Sequence, residues 1–332
     1  MSSRQPRRLA GALALTFALV TGCGSTDSGT ESAAVAETRV FAADNGQITI
    51  PAAPKRVVAT GYAVPALIEA DTPLVGISSW RRGLAMMTEE DLETYNGLEQ
   101  VAGERAAETN YEAVAKVKPD LIVIGVPKPA LADLDMKRLE SIAPVVVIGP
   151  TVPSAWRELS RRQSDAVGRL GDFEAAKTAY EKRAAELTEK YKGALDGVKF
   201  GHVGAYGDVA EGTFHREFAG SWGTNIASDI GVTYYGEVKE KGGGAADVSE
   251  YPSIEELPAS FAEADAVTYT LENDGSVSKP VQYVLDSKLW KNLPAVKAGK
   301  VFPLRYTEAA TYGSALKALD SIDQALAPLL DR

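Results

Sequence analysis

Beyond residue 55 the chain is punctuated by short runs in which almost every position is apolar: RVVATG at 56–61, LVGIS at 74–78, LIVIG at 121–125 and VVVIG at 145–149. Runs this short, rich in Val and Ile and without polar alternation, predict strands covered on both faces, as in a largely parallel sheet. Between them the apolar positions fall into helical order. In NYEAVAKVK, 110–118, Tyr111, Val114 and Ala115 are candidates for the core-facing side, with Leu121 beyond the helix-ending Lys118-Pro119, and Asn110 stands where an N-cap is expected. Strands alternating with helices predict an α/β lobe.

A second set of runs, KFGHVGAYG (199–207), VTYYG (232–236), AVTYTL (266–271) and KVFPLR (300–305), repeats the design. Between the sets lie SAWRELSRRQSDAVGRLG (154–171) and EAAKTAYEKRAAELTEKYKGAL (174–195), free of proline, with Ala176, Tyr180, Ala184, Leu187 and Tyr191 at helical spacing. A helix of about 20 residues is about 30 Å long, enough to bridge two lobes once. The expected fold is therefore α/β, two Rossmann-like lobes joined by a single long interdomain helix. One stiff crossing implies small opening motions, unlike a hinged clamp.

The start of the chain has a different character. Arg4, Arg7 and Arg8 precede an uncharged run from Leu9 to Val20, followed by Thr21, Gly22 and the only cysteine, Cys23. A charged leader, a short apolar run and small residues describe a signal peptide, too short to span a bilayer. Its end resembles a bacterial lipobox, which implies that Cys23 is acylated and becomes the new N-terminus, with the acyl chains holding the protein on a membrane. The Arg7-Arg8 pair leaves twin-arginine export open beside the general route. Residues 1–22 are thus expected to be leader, 23–38 a lipidated flexible tether, 39–171 the first lobe, 172–195 the connecting helix and 196–332 the second lobe.

Composition narrows the function. With one cysteine there is no disulfide framework, and the roughly 290 residues beyond the tether must fold on their own core. The 35 basic and 45 acidic residues give −10, and loss of the three leader arginines makes this −13. Nucleic acid is a poor partner for such a surface. Two histidines and one acylated cysteine argue against a side-chain zinc or transition-metal site.

Three motifs behind the leader carry a resemblance: PAAPKRVVATG (51–61), NYEAVAKVKPDLIVIG (110–125) and LWKNLPAVKAGKVFPL (289–304). Over residues 38–330 the chain resembles the substrate-binding proteins of ABC importers for iron siderophores, haem and cobalamin, the class with a helical backbone between lobes. The resemblance implies a monomeric, extracytoplasmic, membrane-anchored receptor with no cofactor, which takes a ferric siderophore as transported ligand and delivers it to an ABC permease dimer. It also implies one docking glutamate per lobe, Glu112 and Glu255, with Glu256 the near alternative to the second. Such exposed carboxylates would steer and orient docking on permease arginines; the plain alternative is a helix-start acid favoured by the dipole.

In that architecture the ligand sits between the lobes, on loops at strand ends. Candidates there are Tyr62, Trp80, Arg81, Arg105, Phe214, Arg216, Trp222, Tyr306 and Tyr312. Phe214-His215-Arg216 resembles the aromatic-x-Arg arrangement of hydroxamate-siderophore binders, which makes Arg216 the foremost ligand residue. Against this stand ordinary readings: Trp222 and Trp290 as core, Tyr312 as a helix-entry staple, His202 as structural, and only one of Arg81 and Arg82 pointing inward. A ferric siderophore already gives its iron six oxygens, so the protein needs only aromatic cover and hydrogen-bond donors. Scattered arginines on an acidic background favour a hydroxamate such as a ferrioxamine over a catecholate. Cobalamin and haem remain open, as does a cleft enzyme without a recognisable motif or a scaffolding lipoprotein. No Gly-x-Ser-x-Gly elbow, P-loop or dinucleotide fingerprint occurs; KGGGAAD (241–247) reads as a flexible surface loop, and no residue is assigned a catalytic role.

Overall fold

The computed structural model describes residues 37–330; the expected leader, Cys23 and all but the last two residues of the tether lie outside the described residues. The chain enters as an antiparallel hairpin of β1 (Thr38–Ala43) and β2 (Gly46–Pro51). Its two-residue turn is Asp44-Asn45, and Gly46, the first residue of β2, has φ +118°, a value glycine adopts freely. The Asn45 side chain donates to the Val145 carbonyl at 3.0 Å and accepts from the Val147 N–H at 2.9 Å, fixing the hairpin to the first lobe.

Strands β3 (Val57–Gly61), β4 (Leu74–Ser78), β5 (Gln100–Ala102), β6 (Leu121–Gly125) and β7 (Val145–Val147) form a parallel five-stranded sheet in the order β5-β4-β3-β6-β7. Helices α1 (Ala63–Glu69), α2 (Glu89–Gly97), α3 (Tyr111–Lys116) and α4 (Met136–Glu140) lie between them. Both faces are covered. Val57, Ala59, Leu121 and Val123 pack into one cluster, and Val58, Ile122 and Ile124 into another, because successive strand residues face opposite sides. The strand order reverses between β3 and β6, the point where an open α/β sheet leaves a crevice at its carboxyl ends. There Gly61 has φ +59°, and a Cβ would lie 2.6 Å from the Gly125 carbonyl oxygen, so only glycine fits.

Helices α5 (Trp156–Ala166) and α6 (Leu170–Leu195) follow. The 26 residues of α6 make it about 39 Å long, starting two residues before the expected boundary. Tyr180, Ala184, Leu187 and Tyr191 are buried as the stripe predicts, while Ala176 is half-buried.

The second lobe contains β8 (Lys199–Val203), β9 (Arg216–Glu217), α7 (Asn225–Asp229), β10 (Thr233–Tyr234), β11 (Ser249–Glu250), α8 (Leu257–Ser260) and β12 (Ala266–Thr270). It is completed by α9 (Lys279–Asp286), α10 (Lys288–Lys291), α11 (Pro294–Lys297), β13 (Val301–Leu304) and α12 (Tyr312–Leu326). Its six-stranded sheet runs β11-β9-β8-β12-β13 with β10 beside β8. Strands β8, β10, β12 and β13 are parallel, whereas the two-residue β9 and β11 pair antiparallel. Helix α12 packs on α6, and the Tyr191 hydroxyl on α6 donates to the Asp323 carboxylate at 2.6 Å. Among the described residues no helix is long and apolar enough to cross a membrane.

Candidate functional site

The carboxyl ends of the strands converge on a cleft between the two lobes. Tyr62 follows β3, Trp80 and Arg82 follow β4, and Trp222 lies in the turn between β9 and α7. The rings of Tyr62 and Trp222, one from each lobe, lie parallel to within 7° with centroids 6.1 Å apart. Trp80 meets Tyr62 edge-on at 4.8 Å. Tyr62 and Trp222 line a cavity of about 560 Å³ whose other walls include Pro127–Pro129, Pro150–Pro153 and Gly242–Ala245. The glycine-rich segment read from sequence as a free surface loop is thus a wall of the cleft. A neighbouring cavity of about 350 Å³ is lined by Ser79, Trp80, Arg82, Glu104, Arg105, Tyr206 and Glu308.

Arg82 joins the two. Its guanidinium lies 5.1 Å from the Tyr62 ring centroid and 4.7 Å from that of Trp80, and it donates to the Tyr62 hydroxyl at 3.3 Å. Among the described residues no carboxylate pairs with it. Burial raises the Tyr62 phenol above its ordinary pKa despite the opposing Arg82 charge, so the hydroxyl stays protonated. Arg105, by contrast, holds Glu108 at 2.6 Å. Arg81 corrects the sequence reading: its side chain is 77% exposed and turned toward Glu104 at 4.0 Å, so the inward arginine of the pair is Arg82.

Three other candidates lie in the core. Arg216 is 1% exposed, and its guanidinium donates to the carbonyls of His202, Glu217 and Tyr235 at 3.3, 2.7 and 3.3 Å, between the rings of Phe218, Tyr235 and Phe261. Its two terminal nitrogens are engaged inside the second lobe and its Nε is buried there without a partner, which removes it from the cleft. Phe214 is fully buried against Val203, Leu257 and Phe261. Tyr312 packs on Trp156, Phe173 and Tyr180 at the base of α12, the helix-entry role its position also allowed. Tyr306, at φ +59°, is held between Arg305 and Lys317 and lines neither cavity. His202 is buried on Thr268 and Thr270, and His215 stacks on Tyr251.

One half-buried acid links first lobe and last helix. Glu69, ending α1, accepts the Gly313 N–H at the start of α12 at 2.9 Å. Burial outweighs that bond and the one from Thr311, and pushes its carboxyl from 4.5 to about 7. The folded state therefore binds the proton more tightly than the unfolded chain, so stability is full below pH 4.5 and declines as pH rises toward 7. Glu69→Gln is expected to remove about 2 kcal/mol of that decline, with allowance for partial solvent contact. Urea unfolding at both ends of the window checks this; an unaltered pH dependence in the variant contradicts it.

The two lobe glutamates are both exposed. Glu112 stands in the first turn of α3, behind an Asn110 cap that accepts the Ala113 N–H at 3.1 Å. Glu255 has a free side chain among the described residues, whereas Glu256 is paired with Lys239 at 2.5 Å.

Comparison with known proteins places these features. The sequence profile described as periplasmic binding protein matches residues 57–306. The chain is 27% identical over 310 residues to the iron(3+)-hydroxamate-binding protein YxeB of Bacillus subtilis (strain 168), covering 89% of this chain and 87% of that one. It is 27% identical over 301 residues to the iron(3+)-hydroxamate-binding protein FhuD of the same organism, with 87% of each covered. Among solved structures, the siderophore periplasmic binding protein from the fuscachelin gene cluster of Thermobifida fusca superposes with a TM-score of 0.66 at 29% identity, covering 83% of this chain and 98% of that one.

Proposed function

Since the chain belongs to the periplasmic binding protein family, we propose that its cleft captures a ferric hydroxamate siderophore, such as a ferrioxamine, for delivery to an ABC importer. Proteins of this family and fold are substrate-binding proteins and not enzymes. The observation that carries the ligand class is Arg82, a guanidinium without a carboxylate partner among the described residues, lying on two aromatic rings at the wall of the cleft. A ferric trihydroxamate is a nearly neutral complex with an apolar rim and an arc of iron-bound oxygens. Rings from both lobes cover such a rim, and Arg82 donates to the oxygens. The cavities of about 560 and 350 Å³ are of the size that holds such a ligand. A catecholate complex carries several negative charges, and the second cavity, with Glu104 and Glu308 in its wall, suits it poorly.

In this reading the receptor is held outside the membrane by acylated Cys23 and docks on the permease through Glu112 and Glu255. Neither glutamate lines the two cleft cavities, so Glu112→Ala and Glu255→Ala are expected to preserve siderophore affinity while each lowers iron uptake several-fold, mainly through orientation of the encounter. Uptake of a radiolabelled ferric hydroxamate by cells carrying each variant checks this. Undiminished uptake in the double variant would remove the docking assignment.

A further inference from the structure

The second cavity carries a carboxylate as well as a guanidinium. Strand β13 ends at Leu304, Tyr306 turns the chain in the left-handed region, and Glu308 comes to the cavity wall with Tyr206, Arg82 and Arg105. Of its four charged neighbours and members, Arg105 is engaged by Glu108, and Glu104 receives the Arg81 N–H at 2.8 Å. Arg82 faces the rings. That leaves Glu308, half-buried and hydrogen-bonded to the Tyr206 hydroxyl, with no cation within ion-pair distance among the described residues. The wall thus offers one unpaired positive group and one unpaired negative group to a single ligand.

We propose that Glu308 is a specificity determinant that receives a cationic group on the ligand, a primary ammonium pendant from the hydroxamate chain, while Arg82 takes the iron-bound oxygens. The inference rests on the hydroxamate reading and refines it to siderophores bearing a free amine. Electrostatic complementarity at a partly desolvated pair discriminates more by partner than by area. Tyr206 donates to Glu308 and orients it without neutralising it, leaving lone pairs on the carboxylate for an ammonium.

The test uses two probes with the same iron centre: the ferric complex of a linear trihydroxamate ending in a primary amine, and the same complex with that amine acetylated. The full protein is expected to bind the amine form about tenfold more tightly, a preference that shrinks as salt is raised. In Glu308→Gln, which keeps the volume and an acceptor for Tyr206, the ratio of the two affinities should fall to near one. Equal affinities in the unaltered protein, or a preference that survives in Glu308→Gln, would overturn the inference and leave the hydroxamate reading standing. Binding of neither probe would overturn that reading and this inference with it.

Discussion

Arg216→Ala is expected to destabilise the protein by about 4 kcal/mol and to leave ligand affinity of the folded molecules unchanged. The side chain is enclosed by Phe218, Tyr235 and Phe261, and its donors satisfy three backbone carbonyls of the second lobe. Truncation leaves those carbonyls without their donor and a void among the rings. Lysine would not rescue it, because a single ammonium cannot reproduce the planar fork. Denaturant unfolding with affinity measured in parallel separates the possibilities. A loss of affinity at full stability would return Arg216 to the ligand site, where its sequence neighbourhood had suggested it belonged.

Arg82→Ala is the reciprocal case. The residue is exposed in the cleft, so its removal is expected to change stability by less than about 0.5 kcal/mol. Hydrogen bonds from a guanidinium to charged oxygens contribute about 2 kcal/mol, so affinity for a ferric hydroxamate should fall about 30-fold. Lysine should recover only part of this, since it loses the fork and the stacking on Tyr62 and Trp80. Competition binding with the three proteins reads the series; affinity unaffected by Arg82→Ala would mean that the cleft holds its ligand by apolar cover alone.

The lobes and the long helix were legible because their signals are dense. The central strands of the first lobe are runs rich in Val and Ile buried on both faces, and α6 carries its stripe for more than four turns. The hairpin at 38–51 is half-exposed and lacks such a run; the Asp44-Asn45-Gly46 stretch at its turn was the available signal. Strands β9 and β11, two residues each, leave no pattern at all.

The site was legible only in part. Tyr62, Trp80, Trp222 and Arg105 line the cavities as their positions after strands suggest. Arg216 and Phe214 fell to the core because an aromatic-x-Arg sequence does not say which way its side chains point; Arg216 lies inward on the two-residue β9, and Phe214, just before that strand, is buried as well. The choice between Arg81 and Arg82 depends on one turn of backbone after Trp80. Tyr206 and Glu308 come from loops 102 residues apart that only the folded sheet brings together. Their signal in sequence was no more than a position just beyond β8 and β13.

The most direct test of the central claim is a titration of the protein with ferrioxamine, a ferric catecholate, haem and cobalamin, followed by tryptophan fluorescence. Trp222 and Trp80 form part of the cavity walls and report on occupancy. The account predicts saturable quenching by ferrioxamine with a dissociation constant below about 1 μM, and none of comparable strength from the other three. Quenching by the catecholate, haem or cobalamin in its place would contradict the ligand class, and quenching by none of them would contradict capture in this cleft.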